Sequence, residues 1–138
     1  MADHIVLLFD WDDVAHRRVV DVLGRQARTM SDGSASWEAV AICLEGQSIC
    51  LSVDPDTDQI EATLSKTHPE GGWEPIPSFS FAVGQPLGWC WVGINSQGYK
   101  DSFTLAFGDT VPSALQPRCM FLAEASALTC LDLSPRLA

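Results

Sequence analysis

Hydrophobic and polar positions along the chain follow two different rhythms. Between Asp12 and Leu23 the apolar residues Ala15, Val19, Val22 and Leu23 recur at helical spacing. Aspartates crowd the start of this stretch, and Gly24 stands where a C-terminal cap belongs, which predicts an N-terminal helix. The apolar run Ile5 to Phe9 before it fits either a strand or part of the same helical region. From Val40 onward the period becomes two. Val40, Ile42 and Leu44 alternate with their neighbours, Glu45-Gly46 supplies a turn, and Ile49, Leu51 and Val53 resume the alternation. Asp54 to Asp58, with Pro55 at the second turn position, leads into Ile60, Ala62 and Leu64. These signals predict a three-stranded meander.

The stretch from Ser65 to Ser78 holds three prolines, Gly71-Gly72 and Trp73 and shows no period, so it predicts a loop. A second meander follows. Leu87 to Ile94 reads as a strand, Asn95 to Gly98 as a turn and Tyr99 to Phe107 as the returning strand. After a loop from Gly108 to Arg118, Cys119 to Ala123 and Leu128 to Leu133 read as closing strands. The two meanders are alike in the placing of Gly24 and Gly84, and of Val40, Ile42 and Leu44 against Phe103, Leu105 and Phe107. That likeness suggests an internal repeat of 24–64 in 84–133, with a period longer than that of solenoid repeats. The expected fold is therefore α+β within one domain, 1–138. One N-terminal helix would pack on an antiparallel sheet of about six to eight strands, arranged as two related β-meanders.

Composition narrows the class of protein. With 138 residues, 46% of them hydrophobic and 19% charged, the chain is long enough and apolar enough to bury a core. Ile5 to Phe9 is far too short to span a bilayer, and its flanks are acidic rather than basic, against a secretory signal. A cytoplasmic location is expected. The net charge is −10, and Arg17, Arg18, Arg25 and Arg28 account for four of the eight basic residues. From Thr29 to Pro117 only Lys66 and Lys100 stand against eleven acids. Such a surface repels phosphate backbones, so no nucleic acid and no membrane is expected among its partners; it suits either a basic protein partner or, as is commoner, solubility alone.

The residues that carry chemistry form few constellations. Cys43, Cys50, Cys90, Cys119 and Cys130 lack C-x-x-C spacing and lie in apolar stretches, as buried reduced thiols would. Ile5 to Asp12, a short apolar run ending in D-x-D, resembles the first motif of haloacid-dehalogenase-type phosphatases, in which the first aspartate attacks phosphorus. That chemistry also requires a parallel sheet, a later lysine and a further acidic pair, and capping of a helix accounts for the aspartates more simply. Asp54, Asp56 and Asp58 resemble a calcium loop. Gln59 and Ser65 nevertheless stand where that loop needs glycine and glutamate. His4, His16 and His68 are scattered. No metal, cofactor or catalytic set is expected.

One cluster stands apart, Trp89 to Asp101. Trp89 and Trp91 share a sheet face, and Asn95 and Gly98 suit a turn. Asp101 has the parity of Phe103 and Leu105, so its carboxylate must find donors near the apolar face. The cluster reads either as aromatic packing with a locked turn or as a tryptophan-lined groove with Asn95, Gln97, Tyr99 and Asp101 at its mouth. The run W-x-W-x-x-x-N-x-Q-G-Y-x-D, followed by L-x-F and by Ala125-Ser126-x-Leu128, resembles a family of small bacterial proteins of unknown function. Gly84 to Leu87 and Asp56 to Ile60 share in the resemblance, which spans about residues 20 to 133 and leaves the first twenty outside. It implies a bacterial source and brings no activity. The function expected from the residues is a non-catalytic, acidic protein-interaction module. The alternative is a small-ligand binder using the tryptophan groove, with a hydrolase built on Asp10 and Asp12 a distant third.

Overall fold

The protein is seen here as a computed structural model that describes residues 9–29, 35–67, 69, 71–108, 110, 112–124 and 127–133. His4, His68, most of the Ile5–Phe9 run and the Ala125-Ser126 pair lie outside the described residues. Eleven strands run β1 (Val19–Arg25), β2 (Arg28–Thr29), β3 (Ala35–Trp37), β4 (Ala39–Leu44), β5 (Gln47–Val53), β6 (Ile60–Ser65), β7 (Trp73–Pro75), β8 (Leu87–Gly93), β9 (Ser102–Phe107), β10 (Cys119–Glu124) and β11 (Ala127–Asp132). They form a five-stranded sheet, β6-β5-β4-β1-β7, and a six-stranded sheet, β2-β3-β11-β10-β9-β8. Every strand pairing in both sheets is antiparallel.

The expected α+β fold with an N-terminal helix is thus corrected to a mostly β fold of two sheets. Helical structure among the described residues is limited to short 3-10 segments at Trp11–Asp13, Pro77–Ala82 and Ser113–Leu115. Residues Asp12–Leu23 divide between the first of these and β1. The cause lies in a register shift of β1 against β4 between Val19 and Asp21. A bulge inserts one extra residue, so the two buried valines, Val19 and Val22, fall three apart instead of two. That spacing imitates a helix. The valines' branched side chains favour a strand, and His16, with φ +69°, turns the chain just before it.

The alternating segments behave as their period dictates. Val40, Ile42 and Leu44 on β4 face the core, and so do Phe103, Leu105 and Phe107 on β9. Gly46, at φ +76°, closes the turn between β4 and β5. Inside the aperiodic Ser65–Ser78 stretch, β7 adds an edge strand through Leu23 opposite Pro75 and Arg25 opposite Trp73. The 3-10 segment that follows drives Phe79 into the core, where its ring stacks on Phe121 at 5.1 Å.

One bent hairpin runs through both sheets. Gly24 stands opposite Val40 in the first sheet and Arg28 opposite Ser36 in the second, in one unbroken register. At the bend Gln26 takes φ +52°, Glu38 N–H donates to the Arg25 carbonyl at 2.9 Å, and Arg25 and Glu38 pair at 2.9 Å. Trp37 lies against Gly24 so closely that a Cβ on Gly24 would sit 2.3 Å from the indole Cδ1. On the far side, the buried Gln59 side chain accepts from Lys100 N–H at 3.0 Å and ties the entry of β6 to the chain leading into β9. One apolar cluster draws on both sheets.

Gly24→Ala should therefore destabilise the protein by about 1–3 kcal/mol through overpacking against Trp37. Urea unfolding measures this, and an unchanged midpoint would mean that the bend does not depend on that contact.

Candidate functional site

The geometry of Trp89 to Asp101 follows from the register of β8 on β9. Cys90 stands opposite Leu105 and Val92 opposite Phe103, so these two side chains share one side of the strand, where Cys90 packs against the core and Val92 lies exposed beyond it. Trp91 stands opposite Thr104 and therefore points outward, while Trp89 lies within a register shift of β8 on β9 between Leu87 and Cys90 and is held exposed there. The outward row continues across the sheet from Thr104 to Met120 and on to Leu131. Trp89 is 58% exposed and Leu131 is exposed, while Trp91, Thr104 and Met120 are half-buried. The result is an open face, aromatic at one edge and apolar across its width.

Asn95 and Asp101 are held by each other. The Asn95 amide donates to Asp101 Oδ2 at 3.1 Å, and its Oδ1 accepts from Gln97 N–H and Tyr99 N–H at 2.9 and 3.1 Å. Asn95 N–H closes the turn by donating to the Tyr99 carbonyl, and Gly98 takes φ +86°. The carboxylate that parity places on the apolar side thus finds its donor in the turn's own asparagine. Gln97 and Tyr99 are exposed beyond it. The six residues are brought together as an outward tryptophan pair and a locked turn. None of them lines either of the two clefts described next.

The first cleft, of about 460 Å³, lies at the end of the second sheet, with Phe81, Phe107 and Leu133 beside Gln85, Gln116 and Arg118. Phe107 meets Phe81 edge-on at 5.6 Å, and the Arg118 guanidinium sits 3.7 Å from the Phe81 ring centre while pairing with Asp132. Its one guanidinium is already engaged. The second cleft, of about 450 Å³, lies at the hairpin bend beside Arg25, Arg28, Glu38 and Ser52. Neither was visible in the sequence, because their walls come from segments far apart in the chain.

The remaining candidates resolve as local structure. Asp10 caps the first 3-10 segment, its side chain accepting from Asp12 N–H at 3.0 Å. Asp54 Oδ1 accepts from Asp56 N–H, and Asp58 N–H donates to the Asp54 carbonyl, which folds the acidic stretch into a turn. Among the described residues no group of three or more histidines, cysteines and acids is placed to hold a metal. No helix among them is long and apolar enough to cross a membrane.

All five cysteines are unpaired. Burial raises the Cys43 and Cys50 thiols, pushes Cys90 up to about 11, and raises Cys119. Burial, with Asp132 adding to it, pushes Cys130 up to about 12. At neutral pH these are protonated thiols rather than nucleophiles.

Residues 1–136 match DUF6334, a family of unknown function, and the chain belongs to that family. The match includes the first twenty residues, which the sequence resemblance left outside. No curated protein and no solved structure matches.

Two outcomes follow. Asn95→Ala should cost about 1–3 kcal/mol, since it removes the Asp101 donor and two acceptor contacts of the turn; thermal unfolding reads the loss. The thiols add a pH dependence. Folding holds their protons above the ordinary value of 9.0. Their contribution is complete below that value and is lost as pH rises toward 11 and 12. The urea midpoint should fall from neutral pH to about pH 10, and Cys130→Ala should make the fall smaller.

Proposed function

We propose that this domain is a non-catalytic, cytoplasmic protein-interaction module, and that a basic protein docks on the outer face of its second sheet around Trp89 and Trp91. The observation that carries the reading is Trp89, 58% exposed at the edge of an apolar face that runs through Trp91, Met120 and Leu131. Tryptophan exposed beside methionine and leucine is costly in water and is the composition of interface centres. The net charge of −10 supplies long-range attraction for a basic partner and repels nucleic acid. Five unpaired cysteines suit a reducing compartment.

A small ligand held by the same residues is the second reading. The openness of the tryptophan face favours a macromolecule, since a small molecule is normally enclosed on most sides.

The immobilised wild-type protein should retain a basic protein from an extract of its source cells, with retention weakening as salt rises. Trp89→Ser with Trp91→Ser should reduce that retention by roughly tenfold or more. Equal retention by both proteins would remove the face from the mechanism.

A further inference from the structure

Among the described residues strand β8 ends the six-stranded sheet, and its outer edge is covered for only part of its length. His16 N–H donates to the Leu87 carbonyl at 2.8 Å, Leu87 N–H donates to the Arg17 carbonyl at 2.9 Å, and the Trp11 indole donates to the Gly88 carbonyl at 3.0 Å. That cover stops at Gly88. From Trp89 to Gly93 no strand lies beyond β8 among the described residues.

The direction of the backbone groups along this open stretch follows from the neighbouring ladder. The carbonyls of Asp101 and Leu105 accept from Ala123 N–H and Arg118 N–H, both at 2.8 Å, so the odd-numbered residues of this stretch direct their polar groups toward β10. Thr104 and Ser102 must then serve β8, through their partners Trp91 and Gly93. Cys90 and Val92, opposite Leu105 and Phe103, are left holding their N–H and C=O groups toward the free edge.

We propose that this edge pairs with the same strand of a second copy, antiparallel about a two-fold axis at Trp91. The open stretch is centred on that residue, which such symmetry requires. Cys90 then stands opposite Val92 of the second copy, and each such pair exchanges both of its N–H···O bonds. Trp91 meets Trp91 across the axis, where the side chains of facing residues come closest. Trp89 stands opposite Gly93, a residue with no side chain, whose missing Cβ position lies 2.1 Å from the Ser102 hydroxyl. The bulky and bare positions of one copy therefore fit the bare and bulky positions of the other.

Two further observations favour a second copy as the occupant. Leu87 to Ile94 contains no charged residue, so two molecules of net charge −10 can meet there without opposing charges at the seam. The stretch also lacks the lysine, proline or aspartate that commonly protects a sheet edge from its own kind. Pairing would join the outer faces of two sheets into one surface with the four tryptophans at its middle. This dimer shares with the proposed function only the assignment of Trp89 and Trp91 to an exposed face. Self-association is read below without any other protein, so its failure and the failure of partner capture are separate results.

Sedimentation equilibrium of the whole chain over a range of concentrations, combined with amide hydrogen exchange, tests the proposal. The wild type should be dimeric at high concentration. The Cys90 and Val92 amides should be protected there and lose protection on dilution. Val92→Pro removes an N–H that the domain's own sheet does not use, and edge strands tolerate proline. Trp91→Lys places like charges across the axis. Both variants should sediment as monomers with the circular dichroism of the wild type. A monomeric wild type at every concentration would overturn the proposal. So would a dimer whose Cys90 and Val92 amides exchange freely, a result readable on the wild type alone, or a dimer that survives both substitutions.

Discussion

Everything in this fold turns on the packing of Trp37 against Gly24 at the bend of one long hairpin. A two-sheet protein needs its chain to cross between layers, and here β1 with β4 and β2 with β3 do so in one register from Asp21 to Thr29. The bend needs a residue that accepts positive φ, supplied by Gln26, and a bare position beneath the indole, supplied by Gly24. Arg25 and Glu38 pair at the same corner, and Arg25 lies over the Trp73 ring at 5.6 Å. With the corner set, the second sheet takes up β11 against Trp37, and its buried phenylalanines share one apolar cluster with the aliphatic side chains of the first sheet.

That closure leaves the faces of the second sheet unequal. Its inner side carries Phe103, Leu105, Phe107 and Phe121 into the core. Its outer side carries Trp91, Met120 and Leu131, the kind of residue normally covered. At its edge, β8 is paired by other described residues for only part of its length. A surface and an edge are thus available on the same strand, and both consist of uncharged residues in a strongly acidic molecule.

The strands that alternate cleanly were legible in the sequence. β4, β5 and β6 lie where Val40 to Leu64 alternate, and β8 to β11 lie within a few residues of their expected bounds. The helix expected at Asp12–Leu23 was misread because a bulge gives a strand the spacing of a helix, and a bulge depends on the partner strand. β7 was hidden in a proline- and glycine-rich stretch, since an edge strand needs few ladder bonds and tolerates proline. Within the candidate site, the outward side of Trp91 follows from parity, whereas the position of Trp89 also depends on a register shift between Leu87 and Cys90 that parity does not carry. The bond between Asn95 and Asp101 was not, because a turn brings together side chains six residues apart in a way that period cannot express.

The sequence by itself determined the alternation of faces, the turn at Gly46, the sign of the surface charge and membership of a family of unknown function. These depend on local backbone preference and on composition, which need no distant partner. Only the tertiary structure decided that there are two sheets rather than one, that one hairpin runs through both, and that, among the described residues, β8 ends its sheet with the backbone N–H and C=O groups of Cys90 and Val92 directed to the edge. Strand order and edge are properties of pairing between residues far apart in the chain, and a two-residue period is the same whether or not a neighbour is present.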